Sequence, residues 1–391
     1  MTHLSATATA LKNEVIEALC FQGFIFRDDT FHIPKPDKSN IRNIHSISRA
    51  ERITEHINFI EHFTPKAKQF MLDSSELDIS KISPRLITVQ SRSEHEKLFR
   101  WWNFTWWSLP YERSYGRQIR FIVWDDYHNA PIGIIGLQSP ILSWSVRDNY
   151  LGISKDMRDF WINQSMNAQR LGALPPYNRF LGGKLVALLL TCDEIRTEFH
   201  EKYKNYETLL KKRNIPANLL FVTTTGAYGK SSVYNRLRFN GRRVCDFIGY
   251  THGSGSFHIP NTLYEGFINY LRENDITAGR SFGNGPSVKM KIIDRTMGKL
   301  GFKNGVEHGI KRAVYLFPFT QNIRAVIHQG EPPQWEKRDV ESLTKYWKQR
   351  WAIKRTGGYP EEKLMFSKEK FLCEIEQDLT RSKNLVTGAQ L

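Results

Sequence analysis

The sequence predicts a mixed α/β (α+β) fold, in which a mixed sheet core follows a helical N-terminal flank and precedes a basic, helix-rich C-terminal part. Three observations predict it. Between about residues 86 and 265, short β-rich runs alternate with helix-length amphipathic stretches. Helical spacing dominates residues 1–85, and after residue 265 helices alternate with glycine-rich loops. At 391 residues, with 40% hydrophobic and 13% aromatic content, the chain suffices for two or three units and a sizeable core. The expected division is 1–85, a helical region; 86–265, the α/β core; and 266–391, the basic helical region.

The first region opens with LKNEVIEALCFQGF, a mixed apolar face, then FIFRDDTFHIP, a short hairpin turning at Asp28 and Asp29. Ile53, Ile57, Ile60 and Phe63 follow at spacings of three and four, an amphipathic helix expected to stop before Pro65. In the core, RFIVW (120–124) and IGIIGL (132–137) flank the polar loop DDYHNAP, a hairpin signal. GGKLVALLLTCDEIRTEFHEKY reads as one long, half-buried helix, and LLFVTTT (219–225) and VCDFIGY (244–250) read as strands. In the last region VKMKIIDRTMGKLGF is helical and AVYLFPF (313–319) a strand. ESLTKYWKQRWAIK is expected as the last helix, broken by TGGYP, with a frayed tail after Arg381.

Charge narrows the function classes. There are 56 Lys and Arg against 40 Asp and Glu, a net charge of +16, so the chain attracts polyanions, nucleic acid first among them. Apolar runs reach only Leu185–Leu190 in length, far short of the ~20 residues that a bilayer span needs. Glu14 and Glu17 stand where a signal peptide would be apolar. Cys20, Cys192, Cys245 and Cys373 are scattered, with neither zinc nor redox spacing. The expectation is a reduced, cytoplasmic protein without a metal, cofactor or membrane partner.

The basic excess is uneven. Residues 226–243 hold Lys230, Arg236, Arg238, Arg242 and Arg243 and no acid. Residues 278–324 hold nine basic and two acidic residues, and 335–355 seven and three; the three windows account for the whole excess. Phosphates of a polynucleotide need such a surface. In the last window Leu343, Trp347 and Trp351 recur every four residues, an apolar stripe that docks on the core, with Lys345, Lys348 and Arg355 on the other side. The predicted nucleic-acid-binding set is therefore Lys230, Arg236, Arg238, Arg242, Arg243, Lys345, Lys348 and Arg355.

Other patterns are weaker. GRSFGNGPS (279–287) is rich in glycine but lacks a Walker ending, and reads as a turn before a helix. SSVYNRLRFNGRRVCDFIGY and RFLGGK (179–184) resemble pieces of the N-acetyltransferase superfamily. That resemblance implies Tyr234 as a general acid and the amides near Gly182 and Gly183 as a diphosphate cradle, with Lys184 replacing the small residue of the pattern. Core packing is the plainer role for Tyr234, as it is for Trp101, Trp102, Trp106 and Trp107. Asp125, Asp126, Asp246 and Glu265 are not assigned to one site by the sequence, and His252 and His258 read as loop histidines that are solvated or hydrogen bonded. No catalytic constellation is visible.

Six stretches in order carry a wider resemblance: GRQIRFIV (116–123), IGIIGLQSPILSWSVRDNYLGI (132–153), GYTHGSGSFHIP (249–260), SFGNGPSVKMKIIDR (281–295), HGIKRAVYLFPF (308–319) and YWKQRWAIKR (346–355). Together the chain resembles the Druantia DruA family of bacterial anti-phage defence proteins. The resemblance implies a component of a multigene system that includes a helicase-like protein engaging DNA, and it assigns no catalytic residue. The expected function is thus a defence component contacting nucleic acid, DNA in preference. The alternatives are an acyltransferase-like enzyme and an assembly adapter that binds protein alone.

Overall fold

The computed structural model describes residues 5–109, 114–208, 212–277 and 287–387. A small hairpin, β1 (Ile25–Arg27) and β2 (Thr30–His32), precedes a mixed sheet. The sheet strands are β3 (Pro84–Thr88), β4 (Gln118–Asp125), β5 (Ala130–Gln138), β6 (Ser165–Ala173) and β7 (Phe221–Thr225). A second hairpin, β8 (Arg238–Phe239) and β9 (Arg242–Arg243), leads into β10 (Asp246–Tyr250), and β11 (Ala313–Pro318) completes the set. The seven sheet strands lie in the order β10-β11-β7-β6-β5-β4-β3, antiparallel except for β6 beside β7. The mixed α/β class is as the sequence predicts.

Alternation along β4 shows how both sheet faces are used. Ile119, Phe121 and Val123 join one apolar cluster, Ile122 and Trp124 another. Helices α1 (Ala6–Phe21), α2 (Lys38–Thr54) and α3 (Ile57–Lys68) precede the sheet, and α4 (Glu94–Thr105) follows β3. Short α5 (Ser145–Leu151) and α6 (Arg158–Ile162) link β5 to β6, and α7 (Gly182–Leu189) and α8 (Asp193–Tyr203) link β6 to β7. Beyond β10 come α9 (Asn261–Glu273), α10 (Val288–Lys299), α11 (Ile323–Gln329), α12 (Val340–Trp347), α13 (Ile353–Gly358), α14 (Glu361–Leu364) and α15 (Lys368–Thr387). Residues of α7, α8 and α12 cover the first face, and those of α3, α4 and α15 the second. The N-terminal α1, β1–β2 hairpin and α2 share a cluster with α9 and α10. Among the described residues no helix is long and apolar enough to cross a membrane.

Several elements differ from the sequence reading, each for a local reason. The long helix from Gly182 is two, because Thr191 turns its hydroxyl onto the Leu188 carbonyl and Asp193 is held by Arg338 across the break. Pro65 lies inside α3, near its end, where its missing N–H removes a single intrahelical bond. Residues 232–236 form turns rather than a helix. The helix from Val340 passes through a π-helical segment, Lys348–Ala352, and only ends at Gly358. The 20-residue α15 continues past Arg381, its Leu372, Ile375 and Leu379 buried at helical spacing.

The junction between N-terminal helices and the 251–312 segment buries three histidines, His45, His258 and His308. His45 Nε2 accepts from the Arg312 guanidinium (3.2 Å), His308 Nδ1 accepts from the Ile310 N–H (3.1 Å), and His258 Nε2 donates to the Gly305 carbonyl (3.1 Å). Each ring is thus placed as a neutral imidazole. Burial, with neighbouring positive groups adding to it, lowers their pKa values to about 3, about 4 and about 2 respectively. Unfolding exposes them to titrate near their ordinary value of 6.5. Below that pH the unfolded chain binds protons that the folded chain refuses, so stability is full above it and falls as the solution is acidified. Urea unfolding between pH 7.5 and 5 should therefore show a loss approaching about 4 kcal/mol per pH unit at the acid end, three protons' worth. Replacing His45 by Gln should cut the slope by about a third. A flat profile would show that the histidines titrate alike in both states.

Candidate nucleic-acid interface

The predicted basic residues are exposed or half-buried. Asn240 and Gly241, both at positive φ (47° and 78°), turn the β8–β9 hairpin, so Arg238, Arg242 and Arg243 stand on an exposed two-strand ribbon. Phe239 of this ribbon packs edge-on against Tyr346 of α12 (5.2 Å between centroids), and Tyr346 packs against Trp351 (5.6 Å). Windows separated by about a hundred residues thereby lie side by side.

What joins them is the start of α7. Leu181 adopts a left-handed conformation (φ 61°), and its carbonyl accepts from the Trp347 indole N–H (3.1 Å) and from the Lys184 N–H (2.9 Å). The Lys184 ammonium donates to the Val233 (3.0 Å) and Ser232 (3.3 Å) carbonyls and stands 5.1 Å from the centre of the Trp351 ring. Burial lowers the Lys184 pKa, and Arg236 adds to the effect. Trp347 is fully buried and Trp351 half-buried, so the apolar stripe docks α12 as expected and offers no open indole pair.

The eight residues divide by what they already hold. Lys230, Arg236, Arg243 and Lys345 have no acidic partner among the described residues, whereas Arg242 lies 3.7 Å from Glu336 and Arg238 bonds the Gly241 carbonyl in its own turn. Lys348 turns away to the Ser80 carbonyl (2.6 Å), where burial holds its pKa below the usual range. Arg355 donates to the Arg179 carbonyl (3.4 Å) and lies over the Tyr359 ring. The ribbon, Lys230, Arg236 and Lys345 therefore form the open part. From the remaining window, residues 278–286, and with them most of GRSFGNGPS, lie outside the described residues; Ser287 caps α10 by accepting from the Met290 N–H (3.3 Å).

Acyl-transfer features are present in outline. The parallel ladder spans Ser165–Asn167 against Phe221–Thr223, with the Thr224 hydroxyl reaching the Ala168 carbonyl, after which β6 continues to Ala173 paired with β5 but not with β7. Tyr234 fills this parting: its ring packs against Tyr315 and Phe317 (5.0 and 5.6 Å), its hydroxyl lies 3.5 Å from the Leu171 carbonyl, and burial pushes its pKa well up. A Cβ at Gly182 would come 2.6 Å from the Tyr177 carbonyl oxygen, so packing accounts for that glycine, whereas a Cβ at Gly183 would meet Val233 at an ordinary contact distance of 3.5 Å. Three of the carboxylates have separate partners. Asp125 is buried between His128 and Tyr177, Asp126 pairs with Arg85, and Asp246 accepts from the Tyr150 hydroxyl. His258 is hydrogen bonded, to the Gly305 carbonyl, and buried, because the N-terminal helices cover the loop that carries it.

Sequence reading passed over Lys184 as a structural cation and over Phe247 and Tyr250, which are 42% and 41% exposed on the edge strand. The signals were present: Asn-Gly at 240–241 marks the ribbon, and Gly249 interrupts the strand between the two aromatics.

Comparison with known proteins fixes the family. The profile of the Druantia protein DruA family matches residues 35–329. The chain belongs to this family. It is similar to the Druantia protein DruA of Escherichia coli (strain UMEA 4076-1), 34% identical over 377 residues, which cover 95% of this chain and 93% of that protein. No solved structure matches. The family match takes in Lys184, the 226–243 stretch and β10, and ends before α12.

Replacing Lys184 by Met keeps the aliphatic stem and removes both bonds to the 232–233 carbonyls. Urea unfolding should show a loss of about 2–3 kcal/mol, with faster amide exchange at 231–243. Unchanged exchange there would show that the ribbon is held by other contacts.

Proposed function

We propose that this chain is a component of a bacterial Druantia anti-phage defence system that contacts DNA through the face built by Lys230, Arg236, the β8–β9 ribbon and Lys345. Family membership supports the defence role, and other Druantia components, a helicase-like protein among them, are the partners that the reading implies. One observation carries the DNA contact: two basic stretches distant in sequence are pinned to the same end of α7 by Lys184 and Trp347. Like charges gain nothing from being gathered unless a polyanion neutralises them. Phosphates suit this face better than a single carboxylate ligand would, because the open cations are spread along a ribbon and a helix rather than focused on one point.

Acyl transfer is a second reading, favoured by the parting of β6 from β7. It requires Tyr234, the general acid of that reading, to be freed from its buried packing to meet a substrate, whereas the DNA reading leaves it packed. Calorimetry with acetyl-coenzyme A separates them, since only acyl transfer expects binding heat.

For the DNA reading, about four neutralised phosphates give a slope of roughly −3 to −4 in log affinity against log salt, at ~0.7–0.9 per contact. Arg242→Ala together with Arg243→Ala should weaken binding to all sequences alike and flatten the slope by up to ~2. Affinity independent of salt, or no binding at low salt, would sink the reading.

A further inference from the structure

The edge strand β10 displays an aromatic pair that a regular strand would not. Residues three apart on an unbroken strand point to opposite faces. Here the register against β11 shifts between Phe247 and Gly249, and Gly249 sits at φ 139°, a conformation that side chains rarely adopt. A Cβ at that position would also come 3.0 Å from Val146 Cγ1. The extra residue turns Tyr250 onto the face of Phe247, and the two rings meet edge to face, 5.2 Å between centroids. Bulges that re-aim a side chain concentrate beside functional sites.

The pair is exposed but firmly mounted. Ile248, between the two, points to the opposite side and packs into the cluster around Leu151 and Leu316. Phe247 rests on Tyr315 (5.9 Å), which is fully buried; its hydroxyl accepts from the Ser231 N–H and donates to the Asn235 side-chain Oδ1, each at 2.8 Å. The Lys230 ammonium stands 5.6 Å from the Phe247 ring centre. The adjoining stretch 226–243 carries five basic residues and no acid. Rigid rings with cations beside them match the chemistry of an unpaired base followed by its phosphate. A duplex keeps its bases stacked on one another and offers nothing to such rings.

We propose that Phe247 and Tyr250 form a base-stacking platform, so that the occupant of this face is single-stranded DNA. The proposal rests on the DNA reading above and narrows it to the unpaired form. It assigns the Gly249 bulge the task of presenting both rings together, and Lys230 that of holding the phosphate next to the stacked base.

The test uses the full chain, a labelled oligothymidine of about 20 nucleotides and a duplex of equal length, at low salt. Phe247→Leu with Tyr250→Leu keeps apolar area and removes the aromatic faces. It should weaken oligothymidine binding by about 10- to 100-fold, leave duplex binding unchanged and keep the salt slope. Photocrosslinking to a bromodeoxyuridine-substituted strand should mark the 246–250 peptide. The platform is overturned, with the DNA reading intact, if the double variant holds oligothymidine as tightly as the parent, or if it loses duplex binding equally. Tighter binding of oligouridine than of oligothymidine overturns DNA as the occupant. If the parent binds neither strand nor duplex, the DNA reading fails and the platform with it.

Discussion

The carbonyl of Leu181 and the ammonium of Lys184 decide where the rest of the basic surface stands. Leu181 adopts a left-handed conformation directly before α7, and its carbonyl accepts from both the Lys184 N–H and the Trp347 indole N–H. The Trp347 bond brings α12 to the start of α7. One turn further on, Lys184 reaches the carbonyls of Ser232 and Val233, which lie in turns without a helical ladder to satisfy them. Two segments that share no secondary structure are thus fastened to a single turn of chain, Leu181 to Lys184, after β6.

Fastening them has a cost. Burial favours the neutral form of Lys184, and the like charge of Arg236 nearby adds to it. What offsets this is apolar. The fully buried Trp347 contributes roughly 2–3 kcal/mol, and the Phe239–Tyr346 and Tyr346–Trp351 contacts add about 0.5–1.5 kcal/mol each. Aromatics at the base of the face therefore hold cations together at its top. That arrangement assigns the apolar stripe to folding and, under the proposed DNA reading, leaves Lys345 as the open cation of this helix.

Much of the fold was legible in the sequence where local signals were strong. The β4–β5 hairpin, β7, β10, β11 and the Asp28-Asp29 turn follow from alternation and turn residues. Breaks that depend on tertiary partners were not legible: the Leu190–Cys192 interruption needs Arg338, and the π segment after Trp347 accommodates Trp351 beside Lys184. Of the site, residue type and charge pattern pointed to the arginine ribbon and to Lys345. They could not show that Lys348 and Arg355 are turned to backbone carbonyls at 80 and 179, because those partners lie far away in sequence. Lys184 read as a defect in a glycine pattern and proves to be the residue that ties the face together. Tyr250 was hidden for a different reason: a period-two reading places it opposite Phe247, and only the bulge at Gly249 brings the two rings together.

The central claim is that two stretches distant in sequence act as one DNA-facing surface. Amide exchange across the whole chain, with and without single-stranded DNA at low salt, tests it most directly. The account predicts that protection appears at 230–250 and 340–351 together, at the same DNA concentration, and that both fade together as salt rises. Protection confined to one stretch, or centred on another part of the chain, would contradict it.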